Sequence, residues 1–73
     1  MKINTKFNIG DEVFYDVSKV GTIVGIELSV KSDKRNRTKI VISYEVEANN
    51  VHDQVELDNK GSLREERQIL KTF

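Results

Sequence analysis

Five cations crowd the stretch "VKSDKRNRTK": Lys31, Lys34, Arg35, Arg37 and Lys39, opposed by Asp33 alone. Such a cluster can grip phosphates or an acidic protein groove, with Arg suited to two-pronged contacts. The same charges also suit a solvated loop that keeps a hairpin soluble and blunts edge pairing. From Glu45 to Asp58 the balance reverses: Glu45, Glu47, Asp53, Glu56 and Asp58 meet no Lys or Arg. A dipolar molecule follows, and that asymmetry suits an oriented protein contact better than a nucleic-acid track. His52 is the single histidine and there is no cysteine. Metal sites need several convergent ligands, so His52 reads as a solvent-facing or edge residue. The chain has no nucleophile elbow, P-loop, zinc motif or dinucleotide fingerprint. It therefore reads as a non-enzyme with no catalytic residues, no metal and no cofactor.

Phe14, Ile23 and Val41 form a second candidate set, because each is apolar yet out of phase with the main inward face of its strand. Either a C-terminal helix or a second core face covers them, or they form an exposed patch for a partner or a second copy. Tyr15 and Tyr44 alternate with the core pattern and are better explained as core than as a cage for a cation.

The chain that must position these residues has 73 residues with equal numbers of acids and bases, so its formal net charge is zero. That length fits one small domain spanning residues 1 to 73, near the lower limit for a self-sufficient core. A zero net charge argues against coating DNA by global electrostatics. Residues 1 to 20 contain no long apolar run, so neither a signal peptide nor a membrane span is expected. A cytoplasmic location is the corresponding expectation.

Apolar and polar side chains alternate over about 12–17, 20–31 and 38–47, which predicts three strands. Val13, Tyr15 and Val17 share a face of the first. Val20, Val24, Ile26, Leu28 and Val30 share a face of the second, and Ile40, Ile42, Tyr44 and Val46 of the third. "SDKRNRT" joins the second to the third as a long, mobile hairpin tip. Val51, Val55 and Leu57 predict a fourth strand over 51–57. Ser62 followed by Glu65 reads as a capping box that opens a helix over about 62–70, with Leu63, Leu70 and Phe73 as its apolar stripe. Gly21 and Gly25 interrupt the longest strand, and glycine inside a strand marks a bend or bulge. The expected fold is mainly β: a small barrel of four to five bent antiparallel strands with a short C-terminal helix.

"FNIGDEVFY", "GTIVGIE" and "ISYEVE" together resemble the opening of SH3-like barrels of the Tudor, KOW and CarD N-terminal type. The likeness is to small stand-alone versions in bacteriophages and low-GC bacteria, and it runs from Phe7 to about Leu57. The matching positions are core and turn residues, so they speak to fold more than to ligand. CarD-type members dock on RNA polymerase, KOW domains bind RNA or proteins, and Tudor domains bind methylated side chains. The resemblance thus implies a binding module, encoded by a phage or mobile element, whose partner is a host protein, with host takeover or anti-defence as its role. Two other readings stay open. One is a nucleic-acid-binding accessory protein that uses the basic tip. The other is a homo-oligomeric sponge for a small nucleotide, with tip Lys or Arg as phosphate ligands.

Overall fold

The structure, a computed structural model, describes residues 4 to 73. The three alternating segments form strands: β1 (Glu12–Asp16), β2 (Lys19–Ser32) and β3 (Thr38–Ala48). Two short strands follow late in the chain, β4 (Leu63–Glu65) and β5 (Lys71–Thr72). All pairings are antiparallel, in one sheet ordered β4-β3-β2-β1-β5. The sheet is not closed into a barrel.

A bulge in β2 organises the core. Ile23 pairs with Val46 and Gly25 with Glu45, which leaves Val24 between them without a partner. One extra residue reverses the side-chain phase of everything beyond it, because the period of a strand is two. Before the bulge the inward residues are therefore Gly21 and Ile23; after it they are Ile26, Leu28 and Val30, opposite Tyr44, Ile42 and Ile40. Ile23 is fully buried while Val24 is 43% exposed, so the inward face expected from simple alternation is corrected at both positions. Gly25 sits at the bulge, as expected of a strand glycine. Gly21 has another task, since a Cβ there would stand 2.5 Å from Val46 Cγ1 and 2.8 Å from the Glu47 carbonyl oxygen. Its bare backbone lets β2 and β3 pack at that point.

The buried set is Phe7, Val13, Tyr15, Ile23, Tyr44, Val46, Leu57 and Ile69. Tyr44 ties three segments together. Its ring meets Phe7 edge-on at 5.5 Å, and its hydroxyl donates to Glu66 Oε2 while accepting from the Lys6 and Phe7 amides. Val17, expected inward, is 85% exposed in the β1–β2 turn.

Two expected elements are corrected. The segment read as a fourth strand is a helix, α1 (Val51–Lys60). Asn50 caps it by accepting from the Asp53 amide at 2.9 Å, and Gly61, at φ +99°, closes it by donating to the Leu57 carbonyl at 2.7 Å. These are helix start and stop signals of ordinary kind. Gln54–Asp58 and Glu56–Lys60 pairs, four residues apart, support the turns between. Leu57 is buried, whereas Val51 and Val55 are exposed, so the alternation there was not a core face.

The expected helix over 62–70 is absent. Leu63 to Glu65 add β4 to the edge of β3, and Glu66–Gln68 make one 3-10 turn in which the Gln68 side chain accepts from the Glu65 amide at 2.8 Å. That turn delivers Ile69 to the core, and Leu70 donates to the Phe14 carbonyl as β5 begins. Leu63, Leu70 and Phe73 are all about half exposed or more.

The bulge assignment makes a simple prediction for chemical unfolding. Ile23→Ala should cost roughly 2 to 5 kcal/mol, while Val24→Ala should stay within about 0.5 kcal/mol. Equal losses at both positions would contradict the register.

Candidate functional site: the β2–β3 ribbon

β2 and β3 outrun their neighbours. Along β3, β4 lies beside Ser43 to Glu45 only, and along β2, β1 reaches from Lys19 to Thr22. Gly10 and Asp11 add two backbone hydrogen bonds at Ile23. Beyond those points, among the described residues, the two strands continue as a ribbon with both edges open. The molecule is accordingly elongated, 41 × 25 × 19 Å.

One face of the ribbon carries Ile26, Leu28, Val30, Ile40 and Ile42. Ile26 and Ile42 pack on the rim of the core, but Leu28 is 47% and Val30 72% exposed. A groove of about 250 Å³ lies along the open edge of β3, between Lys39 to Ile42 on one side and Glu65 to Arg67 on the other. Arg67 pairs with Glu65 at 3.2 Å.

The tip, residues 33–37, is shorter than the expected loop and is hydrogen-bonded within itself. Asp33 Oδ1 accepts from the Arg35 and Arg37 amides at 2.8 and 2.9 Å, and its Oδ2 accepts from Arg37 Nε at 3.0 Å. The Asp33 amide donates to the Arg37 carbonyl and the Asn36 amide to the Asp33 carbonyl. Asn36 takes φ 59°, a left-handed conformation that asparagine tolerates better than most residues. These donors hold the Asp33 carboxyl below its ordinary pKa, the Arg37 amide first among them. Arg37 is thus committed to Asp33. Lys31, Lys34, Arg35 and Lys39 are exposed and have no ion-pair partner among the described residues.

The off-phase apolar residues separate. Ile23 is core and drops out as a contact residue. Phe14 is half-buried on the opposite sheet face, where the Phe73 ring lies 5.6 Å away and Lys71 Nζ stands 5.2 Å above its ring centre. Its cover comes from the last strand rather than from a helix. Val41 is half-buried in the wall of the β3 groove, beside Lys39. Of the expected binding residues, the structure therefore gathers Lys39 and Val41 at the groove and Lys31, Lys34, Arg35 and Arg37 at or near the tip. The exposed pair Leu28 and Val30 was missed, because alternation marks inward residues without saying where the cover ends.

The acids lie at the other end. β3 runs from the tip to α1, about 30 Å at ~3.3 Å per residue, and Glu45, Glu47 and the α1 acids lie toward its far end. Glu56 is held there by Lys19 of β2 and by Lys60, at 2.9 Å. Those partners, Lys19 above all, bring its carboxyl down from 4.5 to about 2 and raise the Lys19 ammonium. His52 is exposed on the first turn of α1, as expected. No group of three or more potential metal ligands occurs among the described residues. No described helix is long and apolar enough to cross a membrane.

Comparison with protein-family models, with curated proteins and with solved structures finds no match for the chain. The likeness to SH3-like barrels rests on the quoted residues alone.

A depressed carboxylate pKa stabilises the fold above its unfolded value, and that contribution is lost as pH falls through the folded value. The Lys19–Glu56–Lys60 cluster should therefore contribute fully above about pH 4.5 and fade toward about pH 2. In acid titrations of stability, Glu56→Gln should flatten this limb relative to the parent. An unchanged slope would mean that the ion pairs add nothing.

Proposed function

We propose that this protein is a non-enzymatic binding module of the small SH3-like kind, and that its β2–β3 ribbon receives an acidic, partly apolar segment of another protein. The observation that carries the reading is the uncovered ribbon face: Leu28 and Val30 lie exposed beside an open strand edge, with Lys31, Lys34, Arg35 and Lys39 free of acid partners nearby. Each feature answers a different part of the segment. The open backbone of Thr38–Ile42 offers hydrogen bonds to an added strand, the mode by which extended peptides join sheet edges. Val30, Ile40 and Ile42 offer apolar contact to alternate side chains of that strand. The cations select acids and raise the encounter rate, more than they add affinity.

A protein partner is favoured over nucleic acid because the free cations share the ribbon and its tip with an exposed apolar face, Lys31 and Lys39 on the opposite side of the two strands, and because the whole chain has no net charge. Counterion release from phosphates rewards a continuous basic track. The resemblance to stand-alone phage modules makes a host protein the expected partner and host takeover or anti-defence the expected process. The same cations also keep the open edges from pairing indiscriminately, since inward or flanking charge is a common guard on edge strands.

The test is capture of partners from cell lysate by the tagged protein, at two salt concentrations and with or without nuclease, beside Val30→Asp and an Arg35→Ala/Lys39→Ala pair. A defined protein should survive nuclease and moderate salt. Val30→Asp should lose it, the double variant should weaken it, and both should keep their stability within about 0.5 kcal/mol. Capture that vanishes with nuclease, or that both variants retain in full, would overturn the reading.

A further inference from the structure

At the end of the molecule away from the tip lies a cleft of about 80 Å³ between the β1–β2 turn, α1 and β4. Its walls include Asp16, Lys19, Asp53, Glu56, Lys60 and Arg64, and Tyr15 and Leu57 complete it. Tyr15 is 7% exposed, and its hydroxyl is buried with no hydrogen-bond partner among the described residues. Buried polar groups nearly always find partners, and leaving one unmade costs about 1 to 3 kcal/mol. A single water needs about 10 to 15 Å³. The cleft has room for more.

The hydrogen-bonding capacity left over in the cleft is weighted toward donors, although Asp16 Oδ2 and Asp53 Oδ1 have no partner among the described residues. Every carboxylate in its wall already accepts: Asp16 from the Val17 amide, Asp53 from Asn50 Nδ2, and Glu56 from Lys19 and Lys60. The donors are less committed. Arg64 spends one terminal nitrogen, Nη1, on the Gly61 and Leu63 carbonyls, at 2.7 and 3.0 Å. Its Nε and its other terminal nitrogen have no protein partner among the described residues, and it forms no ion pair there. Lys19 and Lys60 each give one hydrogen to Glu56 and hold others in reserve. With the Tyr15 O–H added, the spare donors outnumber the spare acceptors, and the Tyr15 hydroxyl and the Arg64 edge together ask for an acceptor.

We propose that this cleft is a binding site for a compact oxyanion, a carboxylate or phosphate group, held by the Tyr15 hydroxyl and the free edge of the Arg64 guanidinium. Arginine meets such groups with two parallel N–H bonds. Lys19 and Lys60 supply charge at the wall while staying tied to Glu56. The site is separate from the ribbon, so either can fail without the other.

The test is thermal unfolding of the full chain with rising inorganic phosphate or acetate, against sodium chloride at equal ionic strength. A ligand of the folded state raises Tm in proportion to the logarithm of its concentration. Phosphate, acetate or both should raise Tm beyond the chloride control, and which of them does so names the group. Tyr15→Phe should be more stable than the parent in anion-free buffer and should lose the rise. Arg64→Gln, which leaves the core untouched, should lose it as well. A rise that chloride matches, no rise with either anion, or a rise kept by both variants would overturn the assignment.

Discussion

The rest of the structure depends on one unpaired residue, Val24. By adding a residue between Ile23 and Gly25, the bulge puts Ile23 on the same side as Ile26, Tyr44 and Val46. Without it, either the near half of β2 or the far half would turn its apolar side outward, since a slip of one residue moves a whole strand's side chains to the other face. The near half closes the core with Val13 and Val46. The far half is left as a ribbon whose apolar side has no lid among the described residues. Core and open ribbon are thus two ends of one strand, joined at its irregularity.

The two buried tyrosines show how differently the two ends of the sheet use the same side chain. Tyr44 has its hydroxyl fully engaged: it donates to Glu66 and accepts from the Lys6 and Phe7 amides, and burial, with the Glu66 bond second, raises its pKa. It fastens the N-terminal segment and the 3-10 turn to β3. Tyr15 is buried to a similar degree, with its pKa raised by burial first and by Asp53 next, yet its hydroxyl has no hydrogen-bond partner among the described residues. Packing explains the rings of both. Only for Tyr44 does the protein itself explain the hydroxyl.

Much of this was legible in the residues. The three long strands follow from alternation and lie within a residue or so of their expected bounds, because cross-strand burial imposes a period of two on anything half-buried. Ile23 stood out as off-phase, which is how a bulge looks in sequence, although a second core face would look the same. The helix over 51–60 was hidden behind Val51, Val55 and Leu57, whose spacing also suits a strand. The better signals were Asn50 with Asp53, the pairs four residues apart, and Gly61. The C-terminal segment was less readable. Ser62 and Glu65 have capping-box spacing, but Leu63 to Glu65 are recruited by the open edge of β3 and Lys71 to Thr72 by β1, and such nonlocal pairings leave no periodic trace in short segments. At the candidate site the charges were visible in the sequence, while the exposure of Leu28 and Val30 depended on where β1 and β4 stop.

The most direct test of the account is nuclear Overhauser contact between backbone Hα protons across β2 and β3 in solution. The bulge requires contacts consistent with Ile23 opposite Val46 and Ile26 opposite Tyr44, with Val24 lacking a partner of its own. An uninterrupted ladder would instead place Val24 opposite Val46 and Thr22 opposite Ala48. That second pattern would remove Ile23 from the core and undo the separation of core from ribbon.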